Sequence, residues 1–235
     1  MGSQPSKGQR IRMHTKHQTQ IRPVSEKRRR RQGGLEAIEF GLWAMLLMPP
    51  FIWMFISGMN FIRYNKAGDV TRSTAMMYIK GVDMTALGNQ RIIARVASGL
   101  GLVVESGGAV VNNQGTGMVA LSKVVFVDPQ CGCTNAGQYV LAERVYLGNR
   151  SLDIAGTTVE SFVGPVPAAL WSSSTGAISN YTTDTRARVS SDFSTLWGNS
   201  LGAGQFVYVV ESFFKANTGG AGAFDSNGTY TRVFM

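Results

Sequence analysis

The spacing of apolar positions changes character along the chain. From Phe40 to Ile62, 23 consecutive residues contain no Asp, Glu, Lys, Arg or His. At about 1.5 Å per helical residue this run reaches across a hydrocarbon core of about 30 Å, which predicts one membrane-spanning helix. Val70, Met76, Met77 and Ile79 continue an apolar pattern at helical spacing up to Lys80-Gly81, so the helix is expected to protrude from the bilayer. Asp83 or Thr85 can cap a second helix, whose Leu87, Ile92, Ile93, Val96, Ala97 and Leu100 share a face before Gly99 and Gly101 weaken it.

After Gly107 the grammar becomes that of an antiparallel sheet: β-branched and aromatic runs broken by Gly, Asn and Ser. The runs predict strands over Met118–Val127, Tyr139–Leu147, Phe206–Phe214 and Thr229–Phe234. Phe206-Val207-Tyr208-Val209-Val210 is apolar at nearly every position, which predicts a central strand covered on both faces and lying under the helix. Residues 164–204 are rich in Ser, Thr, Gly and Asn with little periodicity, and read as an exposed insertion suited to contacting a partner. The fold class expected is α+β: a long N-terminal helix, half in lipid, and a second helix packed on an antiparallel β-sheet.

Charge is distributed unevenly. Residues 1–34 hold ten basic side chains, among them Arg28, Arg29, Arg30 and Arg31, against the single acid Glu26, a net +9. The other 201 residues balance 13 basic against 13 acidic side chains, so the high isoelectric point belongs to the leader alone. Cations beside a single span are retained in the cytoplasm, which places everything after Ile62 outside it. A basic tail also occurs in nucleic-acid binders, but there is neither a folded basic face nor aromatic interleaving, and no nucleic-acid partner is expected.

A removed secretory signal has an apolar core of about 7–15 residues and a small-residue cleavage site. This run is longer, and Phe61-Ile62-Arg63-Tyr64 offers no such site. The same objections hold for twin-arginine export. A plain anchor or a segment processed on its cytoplasmic side remains, and Glu39 separates them. A carboxylate at the edge of a span needs a partner. Cutting after Gly34 would give Leu35 a free α-amino group one helical turn from Glu39, and available to a neighbouring chain.

Motifs for catalysis are weak. Gly198-Asn199-Ser200-Leu201-Gly202 matches a nucleophile-elbow pattern, but both histidines, His14 and His17, lie in the leader, so no histidine base shares its compartment. Gly115-Thr116-Gly117-Met118-Val119-Ala120 matches a dinucleotide fingerprint on paper, yet a strand follows it where a helix is needed. Gly219-Gly220-Ala221-Gly222 lacks the Lys and Ser/Thr of a phosphate loop and reads as the turn between the last two strands.

Cys131 and Cys133 are the only cysteines and cannot complete a zinc shell without carboxylates, so no metal is expected. They are a candidate disulfide across one glycine, with free thiols or a bond to another chain as the alternatives. Glu105, Asp128, Glu143, Asp153, Glu160, Asp184, Asp192 and Asp225 are dispersed and read as solvated surface, although spacing alone leaves a hydrolytic carboxylate pair open. Glu211 interrupts an apolar strand and is expected to pair with Arg144 or Arg232. The overall expectation is a non-enzymatic chain without cofactors.

Gly34, then Leu35, with Glu39-Phe40 at the fifth and sixth positions after the cut and an unbroken apolar helix beyond, resembles the class III signal of type IV pilin-like proteins. Pro49-Pro50 in that helix, the passage Ala67–Leu102, and the end, Phe206–Phe214 followed by a Gly-rich turn and Tyr230–Phe234, are similar to the TadE-like pseudopilins of the tight-adherence (Flp) pilus system. The resemblance implies a pilin-like minor pilus component cut after Gly34 by a prepilin peptidase, with Glu39 and Phe40 acting in assembly. Its implied partners are that peptidase, other pilins and pseudopilins, an inner-membrane assembly platform and membrane lipid.

On this reading residues 1–34 are a removed cytoplasmic leader, 35–63 the transmembrane helix and 64–235 an extracytoplasmic α+β domain. The location implied is the bacterial inner membrane, single pass, with incorporation into the pilus. The alternative from the residues alone is an uncut, membrane-anchored binding or adhesion module.

Overall fold

The computed structural model describes residues 26–111, 113–154, 157–198, 200–215 and 228–235. It is an α+β chain with one long apolar N-terminal helix and a four-stranded antiparallel sheet. Helix α1 spans Glu26–Ile79 and α2 spans Leu87–Val96. Two short hairpins, β1 (Glu105–Ser106) with β2 (Ala109–Val110) and β5 (Asp153–Ile154) with β6 (Thr157–Thr158), flank the sheet strands β3 (Gly117–Phe126) and β4 (Tyr139–Gly148). A 3₁₀ turn at Thr185–Ala187, helix α3 (Ser191–Trp197), and strands β7 (Phe206–Phe214) and β8 (Thr229–Phe234) complete the order. Two compact units meet inside α1, one ending at Phe55 and the other spanning Ile56–Met235.

The sheet order is β4-β3-β7-β8, which makes β7 an interior strand, as its continuous apolar run requires. One face packs against the second half of α1. There Ala67, Val70, Ala75 and Tyr78 join Val119, Leu121, Val145, Leu147, Val210 and Phe214 in a single core. Of the expected stripe, Val70 is buried and Met77 packs against the core, but Met76 and Ile79 are exposed, and the buried positions are Ala67, Val70, Thr71, Thr74, Ala75 and Tyr78. These spacings of three and four still follow the helical period, but small and hydroxyl side chains bring the helix close to the sheet. Thr71, Ser212 and Thr231 meet there as a hydroxyl cluster, with Ser212 Oγ and Thr231 Oγ1 at 2.6 Å and Thr71 Oγ1 donating to Ala67 O at 2.8 Å.

α2 runs back along α1 and buries Gln90 and Ile93, with Ala97 and Leu100 buried just beyond its end, while Ile92 and Val96 of the expected stripe face outward. Its N-cap is Ala86, without a side-chain cap, in place of the expected Asp83 or Thr85. Asp83 instead accepts from Thr85 N and Thr85 Oγ1, at 2.8 and 2.6 Å, and closes the turn that precedes the helix.

The other face of the sheet is covered by the stretch read as an exposed insertion. Ile178, Ala187 and Phe193 are buried with Val124, Leu141, Val207 and Val209, and Trp171, Trp197 and Phe234 pack around them. Ser190 caps α3 by accepting from Phe193 N at 3.2 Å, which aims Phe193 into this core. The segment is also stitched to the outer edge of β4, through bridges Val140↔Arg188 and Glu143↔Ala177 and through Arg144 N donating to Gly176 O at 2.7 Å. A β-bulge makes this possible. The β3–β4 register passes from Lys123↔Glu143 to Val124↔Leu141, leaving Ala142 unpaired in the ladder, and its carbonyl accepts from Ile178 N at 2.9 Å.

Candidate functional site

The residues expected to be processed and assembled lie on α1. The helix is continuous through Gly33-Gly34, so the Gly34–Leu35 bond is helical, and a Cβ built at Gly34 would meet nothing within 4 Å. Arg28–Arg31 occupy its first turns. Glu36, Glu39 and Phe40 are exposed, and neither carboxylate has a cation within 4.0 Å among the residues whose side chains are described.

From Phe40 to Ile62 the helix is apolar all round and no residue is buried: Phe40, Met45, Met54 and Phe55 are each about 70% accessible or more. A helix hydrophobic on every side buries nothing by itself and needs an apolar surrounding. Residues Glu36–Ile79 thus contain the one helix, among those described, that is long and apolar enough to cross a membrane.

Pro49 and Pro50 lie inside this helix without ending it. Neither has an N–H, so the carbonyls of Met45 and Leu46 lose their usual donors four residues on. Two adjacent under-bonded carbonyls are a polar spot within an otherwise apolar wall, and within hydrocarbon they must be met by another group.

Cys131 and Cys133 are joined by a disulfide in the loop between β3 and β4. Gly132 takes φ of 64° between them, and Asp128 Oδ1 accepts from Gln130 N at 2.8 Å to close the turn in front. Asn135 ties the loop to the 164–204 segment by donating to Tyr181 O and Asp184 O, each at 2.8 Å, while Arg188 Nε donates to Asn135 Oδ1 at 2.9 Å.

Glu211 is fully buried on the face away from α1, but not in an ion pair. Arg232 stands directly opposite it in the ladder, yet its guanidinium stacks on Phe162, 3.7 Å from the ring centroid. Arg144, also fully buried, reaches Tyr146 Oη and Gly164 O at 3.4 Å each. Glu211 accepts instead from Phe162 N at 2.9 Å, from Tyr230 Oη at 2.9 Å and from Ser161 Oγ. The expectation of an arginine partner therefore fails, because the guanidinium finds an aromatic face and a backbone turn supplies the donors. Burial, and then the Glu211 carboxylate beside it, push the Tyr230 phenol above its ordinary range.

The remaining acids are dispersed. Glu105 forms a bidentate pair with Arg91, at 2.5 and 2.6 Å, which holds its carboxyl below the usual range. Hydrogen bonds from Arg186 hold Asp184 down to about 2. No group of three or more His, Cys, Asp or Glu residues that could hold a metal occurs among the described residues. The Gly115–Ala120 stretch enters β3, a strand, as its sequence indicated, whereas the Gly219–Gly222 turn and Asp225 lie outside the described residues. No family model, curated protein or solved structure matches the chain.

Proposed function

We propose that this chain is a non-enzymatic, single-pass membrane pseudopilin of the tight-adherence type, cut after Gly34 by a prepilin peptidase and built into a filament-like assembly as a minor component. The observation that carries this reading is the position of Glu39. It is exposed at the edge of an uncharged 23-residue stretch of helix, Phe40–Ile62, five residues after a glycine and eight after the last of four consecutive arginines. An acid in that position lacks a partner until proteolysis makes one, the Leu35 α-amino group of a neighbouring copy. The leader then lies in the cytoplasm, the α+β domain outside it, and the span stores the subunit in the bacterial inner membrane before it joins the pilus.

N-terminal sequencing of the protein from cells with and without the peptidase tests the reading. A new end at Leu35, only where the peptidase is present, is the expected result; a full-length species active in the envelope overturns it.

One observation favours the uncut anchor carrying a binding domain. The scissile bond sits inside a continuous helix, and a helical bond must unwind before a peptidase can take it. Gly33 and Gly34 reduce that obstacle, since each destabilises a helix by about 1 kcal/mol relative to alanine.

A further inference from the structure

We infer that the end of the sheet domain nearest the span binds anionic phospholipid headgroups, through a basic cluster of Arg63, Lys66, Arg95 and Lys215. The inference rests on the membrane reading above and goes beyond it by assigning a lipid-contacting surface to the folded domain.

The strand and helix registers define that end within the unit Ile56–Met235. Thr231 Oγ1 reaches Ala67 O at 3.4 Å, and the Tyr78 and Tyr208 rings lie 4.8 Å apart, so β7 runs antiparallel to α1 and its last residues, Phe214 and Lys215, descend toward the end of the uncharged stretch. Lys215 N donates to Thr116 O at 2.7 Å and Thr116 N to Gly101 O at 2.9 Å, which brings the loop after α2 to the same level. Lys66 Nζ donates to Ser98 O and fixes the C-terminal end of α2 there too. Lys66 is four residues past Ile62, an axial rise of only about 6 Å. A bilayer that accommodates Ile62 therefore has its headgroups at this end of the domain.

The chemistry of the end fits that partner. None of the four cations has a carboxylate within 4.0 Å among the described residues, whereas Arg91, one turn farther up α2, is neutralised by Glu105. Asp69, one turn beyond Lys66, is the nearest acid along α1. Arg95 and Ser98 line a groove of about 490 Å³ together with Ala94, Leu102, Val104 and the Arg91–Glu105 pair. Tyr64 and Val96 are exposed in the same zone, a mixture of cationic, aromatic and aliphatic groups suited to an interface. Cations beside an anionic leaflet gain from its surface potential, and the gain falls off within a Debye length.

The test uses the full chain in nanodiscs, with a nitroxide on Val96→Cys and, separately, on Phe51→Cys, Cys131 and Cys133 being bonded to each other. Accessibility to lipid-soluble oxygen against a water-soluble nickel chelate is compared in phosphatidylglycerol–phosphatidylcholine and in phosphatidylcholine alone. The expected result is a several-fold shift toward oxygen at position 96 only with phosphatidylglycerol, weakened by salt and lost in Arg95→Gln/Lys215→Gln, with near-ultraviolet dichroism unchanged. A water-like signal at 96 in both lipids, or an equal shift in both, overturns the inference. In either case oxygen access at position 51 leaves the membrane reading standing; a water-like signal at 51 overturns both.

Discussion

A carboxyl group in a strand interior needs donors, and Glu211 has three, two of them from the Ser161–Phe162 turn. Glu211→Leu strands those donors in the core and is expected to cost about 3 kcal/mol in urea unfolding, with Glu211→Gln costing about 1 kcal/mol because the amide oxygen still accepts. Tyr230 supplies a pH signature. Its folded pKa is raised by burial and by Glu211, so its contribution is complete below the unfolded value near 10; above that the unfolded chain ionises first and stability falls as pH rises. Unfolding midpoints measured from neutral to alkaline pH are expected to fall less steeply in Tyr230→Phe than in the parent. Glu211 was legible in the sequence as an anomaly, but its partners were not. Two of the three come from a turn about 50 residues away that no local pattern places against β7.

At the level of elements, the four sheet strands were legible to within a residue, because dense β-branched and aromatic runs bounded by glycine leave little choice of register or ends. The 164–204 segment was not. Its buried residues Ile178, Ala187 and Phe193 are spread among Ser, Thr and Gly without a repeat, since an irregular cover contributes one anchor at a time and has no face to advertise. Phe193→Ala is expected to cost about 3–5 kcal/mol and to open the segment to limited proteolysis, whereas an exposed insertion would tolerate it. The packed stripe of α1 was misread in part for a related reason: Val70 and Met77 pack as expected, but Met76 and Ile79 point outward, while alanines and threonines fill their place against the sheet. Ala67→Leu is accordingly expected to destabilise by about 1–3 kcal/mol in thermal unfolding through overpacking.

For the whole molecule, a helix long and apolar enough to cross a membrane is legible from composition alone, while the proposed assembly would depend on contacts between copies that a single chain does not contain. Glu39→Ala is expected to leave the cut at Gly34–Leu35 intact and to reduce incorporation into the assembly by more than tenfold, as an unpaired charge at span depth costs roughly 2.5–3.5 kcal/mol. Quantifying processed subunits in membrane and filament fractions checks this, and equal incorporation removes the docking role of Glu39.

The unpaired residue at Ala142 has an outcome for how the two faces of the sheet are kept apart. Leu141 and Arg144, three residues apart, point the same way, and Val145 and Leu147 stay beneath α1. The strand is thus read in two frames, one on either side of a single skipped position. Deleting Ala142 would make Leu141↔Val124 and Glu143↔Lys123 successive rungs of one regular ladder, leaving every side chain on its present face and removing only the carbonyl that accepts from Ile178 N.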